Sequence, residues 1–157
     1  MSTIYLETSF VSACVTDRND ASSVYRRDVS MSWWETQRRH HNLVLSDAVI
    51  AELSQPGFRR REEALQLVHE VAVLRFTPDA EALARVLMRE LVMPNEGLGD
   101  AAHVAIAACS GIDLMLTWNV RHLANINKQA HLRAVCLRCG YIPPAIVTPD
   151  LLLDPSP

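Results

Sequence analysis

Short apolar runs alternate with stretches of helical periodicity along the chain, and this alternation constrains the fold most. Ile4–Leu6, Leu43–Leu45, Val71–Phe76 and Leu114–Thr117 are strand-like, and Ala145–Val147 is a candidate edge strand. Between them the spacing predicts a long helix from about Ser22 to Arg39, with Tyr25, Val29 and Trp33 at i, i+4 and i+8. Ser46 is a good N-cap for a helix over Asp47–Leu53, which Gln55-Pro56-Gly57 breaks. A further helix carries Ala64, Leu67, Val68 and Val71, and Thr77-Pro78 opens the next, striped by Leu83, Val86, Leu87 and Leu91. Met93–Gly99 reads as a loop, and residues 127–139 are again helical. Asp100–Cys109 is apolar almost all round, which marks a central, buried helix. Strands separated by long helical stretches imply βαβ units, hence an α/β fold whose parallel sheet is covered on both faces.

The 157 residues suit one domain, 1–157, ending in a short Pro-rich tail over Asp154–Pro157. A net charge of −3 argues mildly against a sequence-independent nucleic-acid binder, which is usually basic. Yet 14 of the 15 cations are Arg, the cation suited to forked contacts with phosphate. The N-terminus lacks a positive n-region, and the apolar stretch Ala101–Cys109 is too short to span a bilayer. A cytoplasmic protein without membrane association is therefore expected. Cys136-x-x-Cys139 ends a helix and lacks the other ligands of a structural zinc site, so both cysteines read as core or surface residues. No Gly-rich phosphate loop or nucleophile elbow is present.

Open parallel sheets place their sites at the carboxyl ends of strands, where strand order reverses. That rule sorts the acids. Glu7 follows the first strand, Asn119 follows the fourth, and Asp100 opens a helix whose dipole favours its anion. Asp113 precedes the fourth strand and belongs at the opposite edge. Asp47 and Glu52 lie about 140° apart on one helix, so only one is expected to face a common site. Glu7, Glu52 and Asp100 can converge on one crevice, where three carboxylates with water suit Mg²⁺ or Mn²⁺. The blander reading is a helix-face anion at Glu52 and a helix cap at Asp100.

Four motifs in order carry a resemblance. Ile4-Tyr5-Leu6-Glu7-Thr8-Ser9 resembles the opening of PIN-domain proteins, whose first strand ends in an acid followed by Thr and Ser. Ser46–Leu53 is similar to their second motif, with Glu52 as its acid, and Gly99–Ala107 to their third, with Asp100. Leu116–Ala124 sits where the family has its fourth motif, a strand ending in Thr and a further acid. Within the family the chain is most similar to small bacterial VapC-type toxins of toxin–antitoxin pairs. The resemblance implies a three-layer fold with a central five-stranded parallel sheet. It also implies a metal-dependent endoribonuclease, in which Glu7, Glu52 and Asp100 bind Mg²⁺ or Mn²⁺ and Asn119 supports them. A homodimer and a small antitoxin partner follow from the same likeness.

Two positions depart from the family. Glu7 stands where Asp is usual, and Asn119 replaces the fourth acid, which predicts a weaker metal site and slower or narrower activity. The competing reading is a PIN-fold module that binds RNA or a protein without cutting.

His103 shares a helix face with Asp100 and is expected either to hold it or to bond near the metal; the blander reading is a buried histidine satisfied by a backbone carbonyl. Thr8, Ser9 and Thr117 can bond metal-bound water or cap turns. Arg121 and His122 are candidates for neutralising RNA phosphates, against an ordinary solvated loop. Arg59-Arg60-Arg61 and Arg38-Arg39-His40-His41 are basic clusters that track an RNA backbone or are simply solvated. Trp33 and Trp34 point about 100° apart, so one is expected in the core and the other in a subunit or antitoxin interface.

Overall fold

The computed structural model describes residues 1–90, 92–93 and 99–153. Its elements run β1 (Thr3–Leu6), α1 (Thr8–Val15), α2 (Ala21–Gln37), β2 (Asn42–Ser46), α3 (Asp47–Leu53), α4 (Arg61–Leu67) and β3 (Ala72–Leu74), then α5 (Pro78–Arg89), α6 (Gly99–Cys109), β4 (Leu114–Leu116), α7 (Ile126–Arg138) and β5 (Ala145–Val147). Short 3-10 turns occupy Arg38–His40 and Pro149–Leu152. Leu91, residues 94–98 of the expected loop and the tail 154–157 lie outside the described residues.

All five strands are parallel, in the order β3-β2-β1-β4-β5. In the central strand Ile4, Tyr5 and Leu6 are all buried, so helices cover both faces and apolar runs rather than alternation encode the sheet. One group of helices packs α1 on α2, α3 and α4, and another packs α5 on α6 and α7. The chain steps outward from β1 through β2 to β3, then returns to the other side of β1 as β4. Loops leaving β1 and β4 therefore diverge and open a crevice at their carboxyl ends.

Helix α6 is buried from Ala101 to Ala108, as its unbroken apolarity requires. It ends at Gly111, which adopts φ +66° while its N–H bonds Ala108 (3.3 Å) and that of Ile112 bonds Ala107 (3.1 Å). Space for a methyl is open there, so conformation alone disfavours a side chain. Gly111→Ala is expected to cost about 1–2 kcal/mol, read as a lower urea midpoint at unchanged m-value.

Two expectations need correction. Helix α1 is not expected from periodicity because Thr8, Phe10, Val11, Ala13 and Cys14 are buried and Ser9, Ser12 and Val15 half-buried, so its only polar stripe is a short one of small serines. The tryptophan pair does not divide between core and interface: Trp33 is 0% exposed and Trp34 9%. Helix α2 is covered on two sides, by α1 and by the turn Pro149–Leu152, and buries residues that point apart. Trp33 meets Phe10 edge-on with centroids 5.6 Å apart, and Arg38 lies over Trp34 with Cζ 5.4 Å from its ring centroid.

Candidate active site

Glu7 is the point where β1 becomes α1. Its backbone N–H bonds the Leu116 carbonyl (3.1 Å) as the last rung between the central strands. Its side chain caps α1, Oε2 accepting the Ser9 backbone N–H at 3.0 Å. The Thr117 hydroxyl donates to the same oxygen (2.8 Å), and the Ser9 hydroxyl also bonds it. The residue is 5% exposed, so its charge is stabilised by these donors rather than by bulk water. Two further N–H groups hold the donors: Trp118 donates to Ser9 Oγ (2.8 Å) and Asn119 to Thr117 Oγ1 (3.0 Å).

Glu52 comes from the last turn of α3. Its Oε1 lies 2.7 Å from Nε2 of His103. Asp47, on the same helix, turns away, and both its carboxylate oxygens accept the Phe76 N–H at 3.1 Å.

His103, in the second turn of α6, is 1% exposed and bridges the two walls of the crevice. Nδ1 lies 2.7 Å from the Tyr5 hydroxyl, which is 2.6 Å from Ser46 Oγ. Nε2 is also 4.0 Å from Glu7 Oε1. The carboxylate that His103 holds is thus Glu52 rather than Asp100, and it bonds a phenol and a carboxylate rather than a backbone carbonyl. Burial works against its charge, but the Glu52 hydrogen bond and the Glu7, Glu52 and Asp100 anions outweigh that and raise its pKa. Burial likewise pushes the Glu52 carboxyl up, yet the His103 hydrogen bond and charge, helped by Thr8, hold it below the usual value. The Thr8 hydroxyl is buried beside it and makes no hydrogen bond of normal length. Burial drives the Tyr5 phenol far up despite the Ser46 contact, so Tyr5 stays neutral.

Asp100 opens α6 with Asn119 Nδ2 at 3.2 and 3.3 Å from its two oxygens. Asn119 Oδ1 accepts the His122 backbone N–H at 3.1 Å. A backbone N–H can only donate, which fixes the orientation of the amide. Asn119 therefore anchors Asp100, and its carbonyl oxygen turns to the loop instead of the crevice. Among the described residues, the donor atoms of Glu7, Glu52 and His103 all lie within 4.8 Å of one another. Asp100 stands outside that tight group, near enough for its charge to act on His103.

A cleft of about 420 Å³ opens beside this crevice, reaching Ser9 and Trp118 at its inner end. Arg18, Arg26, Arg59 and Arg60 line it. Arg59 is forked onto Asp17 at 2.8 and 3.0 Å, and the Arg26 guanidinium lies 5.3 Å from the Trp118 ring centroid. Arg18, Arg26, Trp118, Tyr5 and Ser46 escape a sequence reading because each gains its role only from elements meeting in space. Arg121 is exposed on the loop after β4, and His122 is half-buried with Nδ1 unpartnered. Arg38 is used locally, donating to the Trp34 carbonyl at 3.0 Å.

An all-parallel, helix-covered sheet with carboxylates gathered where strand order reverses defines the class of fold. No family model matches the chain, and no curated protein matches it in sequence. Among solved structures, the fold is that of VapC PIN-domain proteins. VapC20 of Mycobacterium tuberculosis, a sarcin-ricin loop cleaving toxin, matches with a TM-score of 0.55 at 23% identity, over 76% of this chain and 92% of that one. VapBC2 of Rickettsia felis, bound to a DNA fragment from its promoter, matches with a TM-score of 0.59 at 13% identity, over 93% and 98%. VapBC-1 of nontypeable Haemophilus influenzae gives 0.57 at 14%, over 94% and 98%.

Proposed function

We propose that the chain is a metal-dependent endoribonuclease and the toxin of a type II toxin–antitoxin pair. The observation that carries this reading is the desolvated carboxylate of Glu7 facing Glu52 and His103 at the β1/β4 crevice, with Asp100 beside them. Hard oxygen donors in that number fit Mg²⁺ or Mn²⁺, and Glu7, Glu52 and Asp100 would hold the ion. Such an ion, when bound, polarises a phosphoryl oxygen and lowers the pKa of an attacking water.

The protein's own part is positioning. Ser9 and Thr117 fix one oxygen of Glu7, His103 fixes Glu52, and Asn119 fixes Asp100. The Arg-lined cleft takes the RNA backbone on one side, and Arg121 and His122 meet phosphates on the other. The VapBC structures of the same fold support a small antitoxin as partner, and a cytoplasmic homodimer is part of this reading. Among the described residues no helix is long and apolar enough to cross a membrane.

Purified protein should cleave single-stranded RNA with Mn²⁺, lose that activity in EDTA, and lose it in Asp100→Asn. Intact RNA binding without Mn²⁺-dependent cleavage would instead establish a binding module. The cleft makes a separate prediction. Arg60→Ala should lower the slope of log affinity against log salt for single-stranded RNA by about 0.7, the value for one phosphate contact. An unchanged slope in anisotropy titrations would place the RNA elsewhere.

A further inference from the structure

We propose that His103 is itself a ligand of the bound cation, through Nε2, so that the centre is a mixed nitrogen–oxygen site and not an all-carboxylate cage. The inference rests on the metal-binding part of the proposed function and adds a donor that the acidic motifs do not contain.

Three observations carry it. Nε2 faces two carboxylates, Glu52 at 2.7 Å and Glu7 at 4.0 Å. Donors to one such cation sit about 2.0–2.2 Å from it, so no two are more than about 4.4 Å apart. Both separations fall inside that limit.

The second observation is the far side of the ring. A ligating histidine donates its other N–H to an outer partner, which fixes the tautomer and leaves the ligating nitrogen its lone pair. Here Nδ1 meets the Tyr5 hydroxyl at 2.7 Å, and Tyr5 meets Ser46 Oγ at 2.6 Å. Ser46 Oγ also accepts the Val49 N–H at 3.3 Å, and its second lone pair can take the Tyr5 proton. A directed chain therefore runs from Nδ1–H to Tyr5 to Ser46, set in the ends of β1 and β2. The third observation is the amide of Asn119, which gives its N–H to Asp100 and accepts the His122 N–H on its carbonyl oxygen, so that it lies with Asp100 and the loop and not among the donors grouped around Nε2.

In the metal-free protein the Nε2–H can donate to Glu52; on binding, the cation takes the place of that proton, which leaves to solvent. Adding imidazole to carboxylates shifts preference from Mg²⁺ toward Mn²⁺ and later first-row ions.

The test is electron spin-echo modulation of Mn²⁺ bound to the full chain. The expected spectrum shows ¹⁴N modulation that becomes the ¹⁵N pattern when histidine is ¹⁵N-labelled. It should vanish in His103→Gln and persist in His122→Gln, and His103→Gln should weaken Mn²⁺ more than Mg²⁺, by about tenfold or more. Stoichiometric Mn²⁺ without nitrogen modulation overturns the inference and leaves the metal centre standing. Failure of the wild-type chain to bind Mn²⁺ overturns both. If His103→Gln does not fold, loss of the modulation in His122→Gln overturns the assignment by itself.

Discussion

Glu52→Gln is expected to slow Mn²⁺-dependent RNA cleavage by about 10²–10³ at saturating metal, because losing one charged donor removes roughly 3–4 kcal/mol of transition-state stabilisation. The substitution keeps the shape of the side chain and removes only its charge. His103 retains a hydrogen-bonding oxygen at that position, so the wall of the crevice should survive. Stability should fall modestly, since the folded protein holds the Glu52 carboxyl below its usual value through the His103 hydrogen bond and charge, so the anion favours folding at neutral pH. Single-turnover rates and a thermal melt on the same preparation separate these effects. An unchanged rate would reduce Glu52 to the ion-pair partner of His103.

The second large effect falls on the fold. Trp33→Ala should destabilise the protein by about 3–5 kcal/mol, the usual range for deleting a buried aromatic. For a chain of this size that lowers Tm by roughly 6–20 °C. Trp33 has no exposed surface, packs edge-on against Phe10 and carries a buried Nε1–H without a hydrogen-bond partner. Trp33→Phe should therefore cost much less than its lost volume suggests, because it also removes an unsatisfied donor. A loss under about 1 kcal/mol for the alanine variant would mean that α2 collapses into the space.

The sheet was legible in sequence because parallel strands buried on both faces must be apolar runs, and four of them stood out. Glu7 and Asn119 could be put at one edge for the same reason: each comes just after a strand, and Thr117 ends the second of those strands. Asp47 and Glu52 were separable by helical angle alone. The rest depended on packing. Nothing in the sequence says that α6 lays His103 against Tyr5, three residues into the chain's first strand, or that this contact leads on to Ser46. Periodicity located α2 but not the second side on which it is covered, and it missed α1, in which no residue is fully exposed. Asn119 was readable as a missing acid, but not as the anchor of Asp100, because that role depends on the turn formed by His122.

The two oxygens of Glu7 belong to different parts of the molecule. Oε2 is held by the first turn of α1 and by Thr117, whereas Oε1 faces His103. A free glutamate has rotamer freedom worth up to about 1.5–2 kcal/mol, which ordering it would forfeit. Here that ordering is completed when the helix forms, before any ion arrives. The longer side chain at this position is therefore no looser than a shorter one, and capture of a cation by Oε1 carries little further entropic penalty.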